Sequence, residues 1–357
     1  MKFIKINKSD CKCKKHNPKK IIKKKSIVLL SLIYLYSLNN ELKTNIFNMA
    51  ENIEKNITKI FFNSTTIKKK LLDYLSKCLS KNITKIKNIF LGQDMRFGNQ
   101  LILIQRVIFY CEILGCKNII LDKKNNWFIK NTIFIRKYNM SIKVDEEKNM
   151  KYYNDVIIDK TLNFFYYKSI IIPENRINIL KNEILNNLPA ISIDKNDLFI
   201  YIRSGDIFNN NPHPGYIQPP LCYYKKILDN MIFHKIYLIT QDNYNPIIDK
   251  LLNQYNYIIY KQNSLQVDIA YLVKAYNILS GGISTFFSQI LLLNDNLQIL
   301  YMFHMNYKGE LESKKYSVKI INKLIVFEIF APKEYLASVY PWKNSDKQRE
   351  FMINFIC

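Results

Sequence analysis

From Ile86 onward, short apolar runs alternate with polar turns and with stretches whose apolar side chains recur every three to four residues, the mark of strands alternating with helices. Ile86–Leu91 reads as a strand, Gly92–Gln100 as a loop, Leu101–Leu114 as a helix and Asn118–Asp122 as a second strand, which makes a βαβ unit. A second series follows: strand Leu198–Ile202, helix Tyr223–Met231, strand Lys235–Ile239, helix Asn245–Gln254 and strand Tyr257–Tyr260. Helix Ile269–Ala275, strand Asn277–Leu279 and helix Phe286–Leu293 complete it. The alternation predicts two α/β halves with a boundary near residues 180–197 and no internal repeat.

Upstream the texture differs. Residues 39–85 are polar and lysine-rich, with Ile67, Leu71, Leu72, Leu75 and Leu79 at helical spacing, which reads as a stem holding one amphipathic helix. Ser26–Leu38 is an uncharged apolar run that follows eleven lysines in residues 1–25. As a helix it spans roughly 20 Å against a hydrocarbon core of about 30 Å, so crossing a bilayer draws in Ile21, Ile22 and snorkelling lysines. No small-residue cleavage site follows at Asn39–Lys43, so an uncleaved signal anchor is expected, with the lysine arm cytosolic and the body lumenal. The alternative is a buried or interfacial helix on a cytoplasmic protein. Five sequons, at Asn7, Asn56, Asn63, Asn82 and Asn139, fit a lumenal body, although an asparagine-rich chain also produces them by chance.

With 357 residues, 48% of them hydrophobic, the chain has a core's worth of apolar side chains for one large domain or two ordinary ones. A disordered tail or a disulfide-stapled mini-protein is thereby excluded. The net charge of +24 first suggests nucleic acid, an anionic membrane or an acidic substrate. Residues 1–90 carry 21 basic and 5 acidic side chains, and only six of the 53 basic residues of the whole chain are arginine. The excess therefore reads as membrane topology and codon bias, and no nucleic-acid partner is expected. A nucleic-acid binder would instead lose a salt-sensitive affinity on deletion of residues 1–38. The seven cysteines include no CxxC pair and no zinc spacing with the four histidines, so neither a metal site nor a disulfide framework is read from them. Cys11 and Cys13 read as free thiols in the basic arm, with lipidation or metal binding as alternatives.

In open α/β sheets ligands bind beyond the carboxyl ends of the strands, which singles out four loops. Gly92–Gln100 has two glycines ahead of a helix start. Arg203-Ser-Gly-Asp206 follows the 198–202 strand, where a guanidinium fork suits a phosphate and Asp206 suits holding that fork or binding a sugar hydroxyl. An ordinary Arg–Asp pair at a turn is the alternative. The long polar loop Asn209–Pro220, with His213, Tyr216 and Gln218, is large enough for a lid or substrate loop. Thr240-Gln-Asp242 follows the next strand. Ser280-Gly-Gly-Ile-Ser-Thr-Phe-Phe287 opens a helix at which Ser284 and Thr285 suit a phosphate, or simple capping with glycine packing.

Taken in order, the loops resemble the fucosyltransferase superfamily, most closely its α1,2-fucosyltransferase branch. The resemblance rests on Phe97-Gly-Asn-Gln100, Tyr201-Ile-Arg-Ser-Gly-Asp206, the pair Tyr223-Tyr224, Thr240-Gln-Asp242, and Asp268, Leu272, Ala275, Ile278, Ser284, Thr285 and Phe286. It covers about residues 86–300. Tyr201 stands where the branch has histidine and Ile283 where it has asparagine. The resemblance implies an α/β GT-B fold of two facing Rossmann-like domains: an acceptor-side domain at 86–190 and a donor-side domain at 191–357. Ahead of them lie the cytosolic arm (1–25), anchor (26–38) and stem (39–85). It implies an inverting fucosyl transfer from GDP-fucose, as co-substrate, to a glycan hydroxyl. No metal or other cofactor is expected, and the chain contains no Asp-x-Asp sequence.

The donor residues expected from this are Arg203, Asp206, Asp242, Asp268, Ser284, Thr285 and Phe286. The acceptor or cleft residues are Arg96, Gly98, Asn99, Gln100, His213, Tyr216 and Gln218. Asp94 is the expected base, with a solvated loop aspartate as the alternative. The rival functions are an inactive carbohydrate- or nucleotide-binding protein of the same fold, and a transferase using another nucleotide sugar.

Overall fold

The computed structural model describes residues 88–91, 96–123, 126–136, 139–145, 156–158, 176–281, 284–304, 316–321 and 324–357. The anchor, the stem helix and Asp94 lie outside these residues. Among the described residues, no helix is long and apolar enough to cross a membrane.

The described chain divides into two compact units that interleave in sequence, because residues 94–105 and 126–131 belong with the second unit. The first unit is built on a five-stranded sheet of β1 (Asn88–Leu91), β2 (Asn118–Asp122), β3 (Ile133–Ile135), β4 (Met140–Asp145) and β5 (Val156–Ile158), in the order β3-β4-β2-β1-β5. All its pairings are parallel except the β3–β4 hairpin. Ile89–Leu91 and Ile119–Leu121 are buried without interruption, as strands covered on both faces require. At the amino-terminal ends of β1, β2 and β4 a short polar ladder joins the three inner strands: Asn118 Nδ2 donates to Asn88 Oδ1 (2.6 Å) and Ser141 Oγ donates to Asn118 Oδ1 (2.8 Å).

Helix α1 (Phe97–Leu114) begins four residues before the predicted start. The pair Gly92 and Gly98 reads as a loop in the sequence, but Gly98 lies in the first turn of the helix, where a small residue is needed for packing rather than for turning. Arg96, Phe97, Gly98, Asn99 and Gln100 thus form a helix start and not a loop.

The second unit contains a seven-stranded sheet in the order β11-β12-β10-β9-β6-β7-β8. Its strands are β6 (Leu198–Ile202), β7 (Ile236–Ile239), β8 (Ile258–Tyr260), β9 (Asn277–Gly281), β10 (Ile299–His304), β11 (Tyr316–Ile321) and β12 (Leu324–Phe330). All pairs are parallel apart from the β11–β12 hairpin. The helices are α2 (Ile177–Asn186), α3 (Leu221–Leu228), α4 (Pro246–Gln254), α5 (Leu265–Lys274), α6 (Thr285–Leu293), α7 (Lys333–Val339) and α8 (Asp346–Asn354). Their starts follow local chemistry: Asn245 caps α4 with Pro246 at its first position, and Ser284 caps α6 by accepting from Phe287 N. Ser345 and Gln348 form a reciprocal capping box on α8.

One sequence expectation is overturned. Cys222 and Cys357 form a disulfide across 135 residues, whereas Cys111 and Cys116 are free and buried. Spacing could not reveal the pairing, since it depends on α8 packing beside α3 and α4.

Gly281, at the end of β9, follows the packing alternative given for the Ser280–Phe287 segment. A Cβ there would overlap Pro219 and come within 2.5 Å of the Tyr224 hydroxyl, so this glycine makes room for protein rather than for ligand. Gly281→Ala is expected to destabilise the second unit by about 2–3 kcal/mol or more, read as a fall in the denaturation midpoint. An unchanged midpoint would show that the α3 side of β9 is slack.

Candidate functional site

The winding of the larger sheet reverses at β6: β7 and β8 lie to one side, and β9, β10 and β12 to the other. Ile202 and Gly281 are register partners across the reversal and end the β6–β9 pairing. Such a switch point opens a crevice at the carboxyl end of the sheet. Arg203 follows β6 on one side of the reversal, and Ser284, at the start of α6, comes after β9 on the other.

Two arginines meet here on one carboxylate. Arg96 Nη1 lies 2.7 Å from Asp206 Oδ1, and Arg203 Nη2 lies 3.6 Å from the same oxygen. Arg203 is largely withdrawn from water, with 14% of its side chain exposed against 60% for Arg96. Among these three side chains, one carboxylate faces two guanidinium groups.

The Arg203–Asp206 loop is fixed from below. Asp242 Oδ1 accepts from Ser204 Oγ, from Gly205 N (3.1 Å) and from Tyr244 N (3.1 Å). Asn245 donates through its backbone N to Ser204 Oγ (3.0 Å) and through Nδ2 to Arg203 O (3.1 Å). Gly205 has φ +72°, and a Cβ there would meet Gln241 and Asp242, which ties the turn to glycine twice over. Asp242 therefore spends one oxygen on holding the loop.

On the other side, Tyr201 and Ser284 hydroxyls lie 3.1 Å apart while Ser284 Oγ caps α6. The Tyr201 ring stacks on Phe287 (5.2 Å) and tilts against Phe286 (5.5 Å). Burial raises the Tyr201 phenol above its ordinary range, so it stays neutral. The start of α1 presses directly on α6: a Cβ on Gly98 would lie 2.5–2.7 Å from the Thr285–Phe286 backbone. Phe97 packs on Trp127, Phe128 and Phe286. Gln100 donates to Asn126 Oδ1 (3.1 Å), while Asn99 and Thr285 are exposed.

Asp268, in the first turn of α5, is buried, and its Oδ1 accepts from Asn263 Nδ2 at 3.1 Å. Burial pushes its carboxyl up to about 6, and its charge acts on Tyr201. The native state thus holds a proton that the unfolded chain has released between about pH 4 and 6, so stability falls as pH rises through that window. The shift corresponds to roughly 3 kcal/mol lost above the window. Asp268→Asn, which still accepts from Asn263, is expected to raise the unfolding temperature at pH 8 by more than at pH 5. Equal gains at both pH values would contradict the buried-charge account.

Among the residues expected on the 209–220 loop, His213 and Tyr216 are in ring contact (5.1 Å), and the Arg203 guanidinium lies 4.2 Å from the centre of the Tyr216 ring. Gln218 does not face the loop surface: it is fully buried, and its amide nitrogen donates to Tyr216 O and Ile217 O. No sequence pattern marks the groups that brace this region from the carboxyl-terminal segment. Trp342 donates Nε1 to Ile207 O (2.8 Å) and its backbone N to Pro214 O (2.9 Å); Tyr335 Oη donates to Gln218 O (2.6 Å) and Asn344 Nδ2 to Phe208 O (2.6 Å). A tryptophan followed by a polar turn carries no periodicity that marks it as a brace.

At the opposite, amino-terminal ends of β6 and β7, ligand atoms of Asp194, Asp197 and His234 lie within 4.8 Å of one another. Both Asp197 oxygens are engaged there, by His234 Nδ1 (3.0 Å) and by Asp194 N (3.0 Å).

No protein-family model and no curated protein matches the sequence. Among solved structures, the chain is similar to NodZ α-1,6-fucosyltransferase soaked with GDP-fucose, at 8% identity over 69% of this chain and 100% of that one, TM-score 0.39. It is also similar to Escherichia coli heptosyltransferase WaaC with ADP-2-deoxy-2-fluoro heptose, at 10% identity over 69% and 93%, TM-score 0.35. A family 9 glycosyl transferase from Veillonella parvula matches at 8% identity over 75% and 95%, TM-score 0.39. At such scores none of the three bears on what this chain does.

Proposed function

We propose that the β6/β9 crevice binds the diphosphate of a nucleotide sugar and that the protein is a glycosyltransferase. The observation that carries this is the convergence of Arg96 and Arg203 on Asp206 at the switch point, beside the start of α6. Asp206 acts as a counter-ion shared by the two, and an incoming diphosphate offers oxygens to both guanidinium groups. The same charges stabilise the diphosphate as it leaves, so this role needs no metal ion.

At finer grain, we read the reaction as inverting transfer of fucose from GDP-fucose to a glycan hydroxyl. The Asp268 carboxylate suits the paired N–H donors on the edge of guanine. Arg96 is thereby assigned to the donor phosphates rather than to the acceptor, and Asp242 to support of the Arg203 loop. Ser284 and Phe286 present the α6 start, and His213 belongs to the acceptor side. Asp94 is proposed as the base: Asp94→Asn should abolish turnover while GDP binding persists, and an unchanged kcat would remove it from the role.

The Cys222–Cys357 disulfide supports a body in an oxidising compartment, in keeping with the proposed anchor at 26–38 and a lumenal location. A second reading is a binding protein without turnover, favoured by the burial of Tyr201 and its bond to Ser284, which withdraw that residue from a ligand. GDP release from GDP-fucose, followed with and without glycan acceptors, separates the two. Release that rises with an acceptor supports transfer, whereas binding without release supports the second reading.

A further inference from the structure

Arg203 is held on two sides. Asp206 Oδ1 lies 3.6 Å from its Nη2, and its guanidinium carbon sits over the ring of Tyr216, 4.2 Å from the ring centre. Tyr216 is itself anchored: its backbone N donates to His213 O (3.0 Å), its carbonyl accepts from Gln218 Nε2 (3.1 Å), and Pro214 O is held by Trp342 N (2.9 Å). A guanidinium centred over a fixed aromatic ring is attracted to that ring and held in place by it. Less rotational freedom then remains to be lost when an anion binds.

We infer that Tyr216 is a positioning residue for Arg203, setting the affinity of the crevice for a diphosphate through the face of its ring and not through its hydroxyl. The inference rests on the reading of Arg203 as the diphosphate-binding residue. It moves Tyr216 from the acceptor side, where the sequence placed it, to the support of the donor side. The C-terminal segment thereby gains a function, since Trp342 fixes the loop that carries the ring.

The test is calorimetric titration of the full chain with GDP in five forms: wild type, Tyr216→Phe, Tyr216→Leu, Arg203→Lys and the double variant Tyr216→Leu/Arg203→Lys. Tyr216→Leu is expected to weaken GDP binding roughly 5- to 30-fold, and Tyr216→Phe to restore it to within about twofold of wild type. In the Arg203→Lys background the leucine substitution should cost nothing further, because the group it supports is gone. Equal affinity of Tyr216→Leu and wild type would overturn the inference, as would the same loss in both backgrounds, the mark of general loop damage. Should Tyr216→Leu not fold, Tyr216→Gln carries the same expectations. Failure of the wild type to bind GDP, or wild-type affinity in Arg203→Lys, would overturn the diphosphate reading itself and the inference with it.

Discussion

Arg203→Lys is expected to weaken binding of a nucleoside diphosphate by about 10- to 150-fold and to remove nearly all turnover, with little change in unfolding temperature. The size follows from losing one charge-assisted, two-pronged hydrogen-bonded contact, worth about 1.5–3 kcal/mol. Lysine keeps the charge but neither the fork nor the planar group that Arg203 sets over Tyr216, 4.2 Å from the ring centre. The stability should change little because the loop is held by Ser204, Gly205 and Asp242 rather than by the guanidinium. Calorimetry with GDP, alongside a turnover assay, reads both effects. Wild-type affinity and turnover in a folded Arg203→Lys protein would remove Arg203 from the site.

Loss of the Cys222–Cys357 bond is the second large effect. Cys222→Ser, Cys357→Ser or chemical reduction should each lower the stability of the second unit by about 2–5 kcal/mol, the upper end being what loop-closure entropy gives for a loop of more than a hundred residues. Cys222 lies on α3, whose Tyr223 hydroxyl shares its proton between Ser280 O (2.8 Å) and Tyr301 O (3.2 Å) beneath the crevice. Loosening this helix should therefore also lower GDP affinity, by less than Arg203→Lys does. A denaturation midpoint that is the same with and without reductant would show that the bond contributes nothing to the folded state.

The central strands were legible because burial on both faces leaves uninterrupted apolar runs: β2 and β6 carry the residues expected, and β7, β8 and β9 differ at their ends by one or two. Helices with a polar first turn were read short. α5 starts at Leu265, four residues before the expected start, because Gln266 and Asp268 hide the apolar period. β3, β4 and β5, the strands β10–β12, and the helices α2, α7 and α8 were not read at all. β3 and β5 span three residues each, and α8 opens on the polar run Asp346-Lys-Gln-Arg-Glu350, so its capping box stands without an apolar period. The Arg203 loop was found from its position after a buried strand, but its partners were not. Pairing of Arg96 with Asp206 spans 110 residues, and the Trp342 contact with Ile207 spans 135; no local pattern encodes contacts that only the folded chain creates.

The central claim is that the β6/β9 crevice recognises a diphosphate through Arg96 and Arg203. It is tested most directly by titrating the wild-type protein with GDP, GMP and guanosine at two salt concentrations. The account predicts that GDP binds at least about tenfold more tightly than GMP, that guanosine binds weakest, and that the GDP advantage shrinks as salt screens the guanidinium charges. Equal affinity for GDP and GMP, or an advantage indifferent to salt, would contradict it.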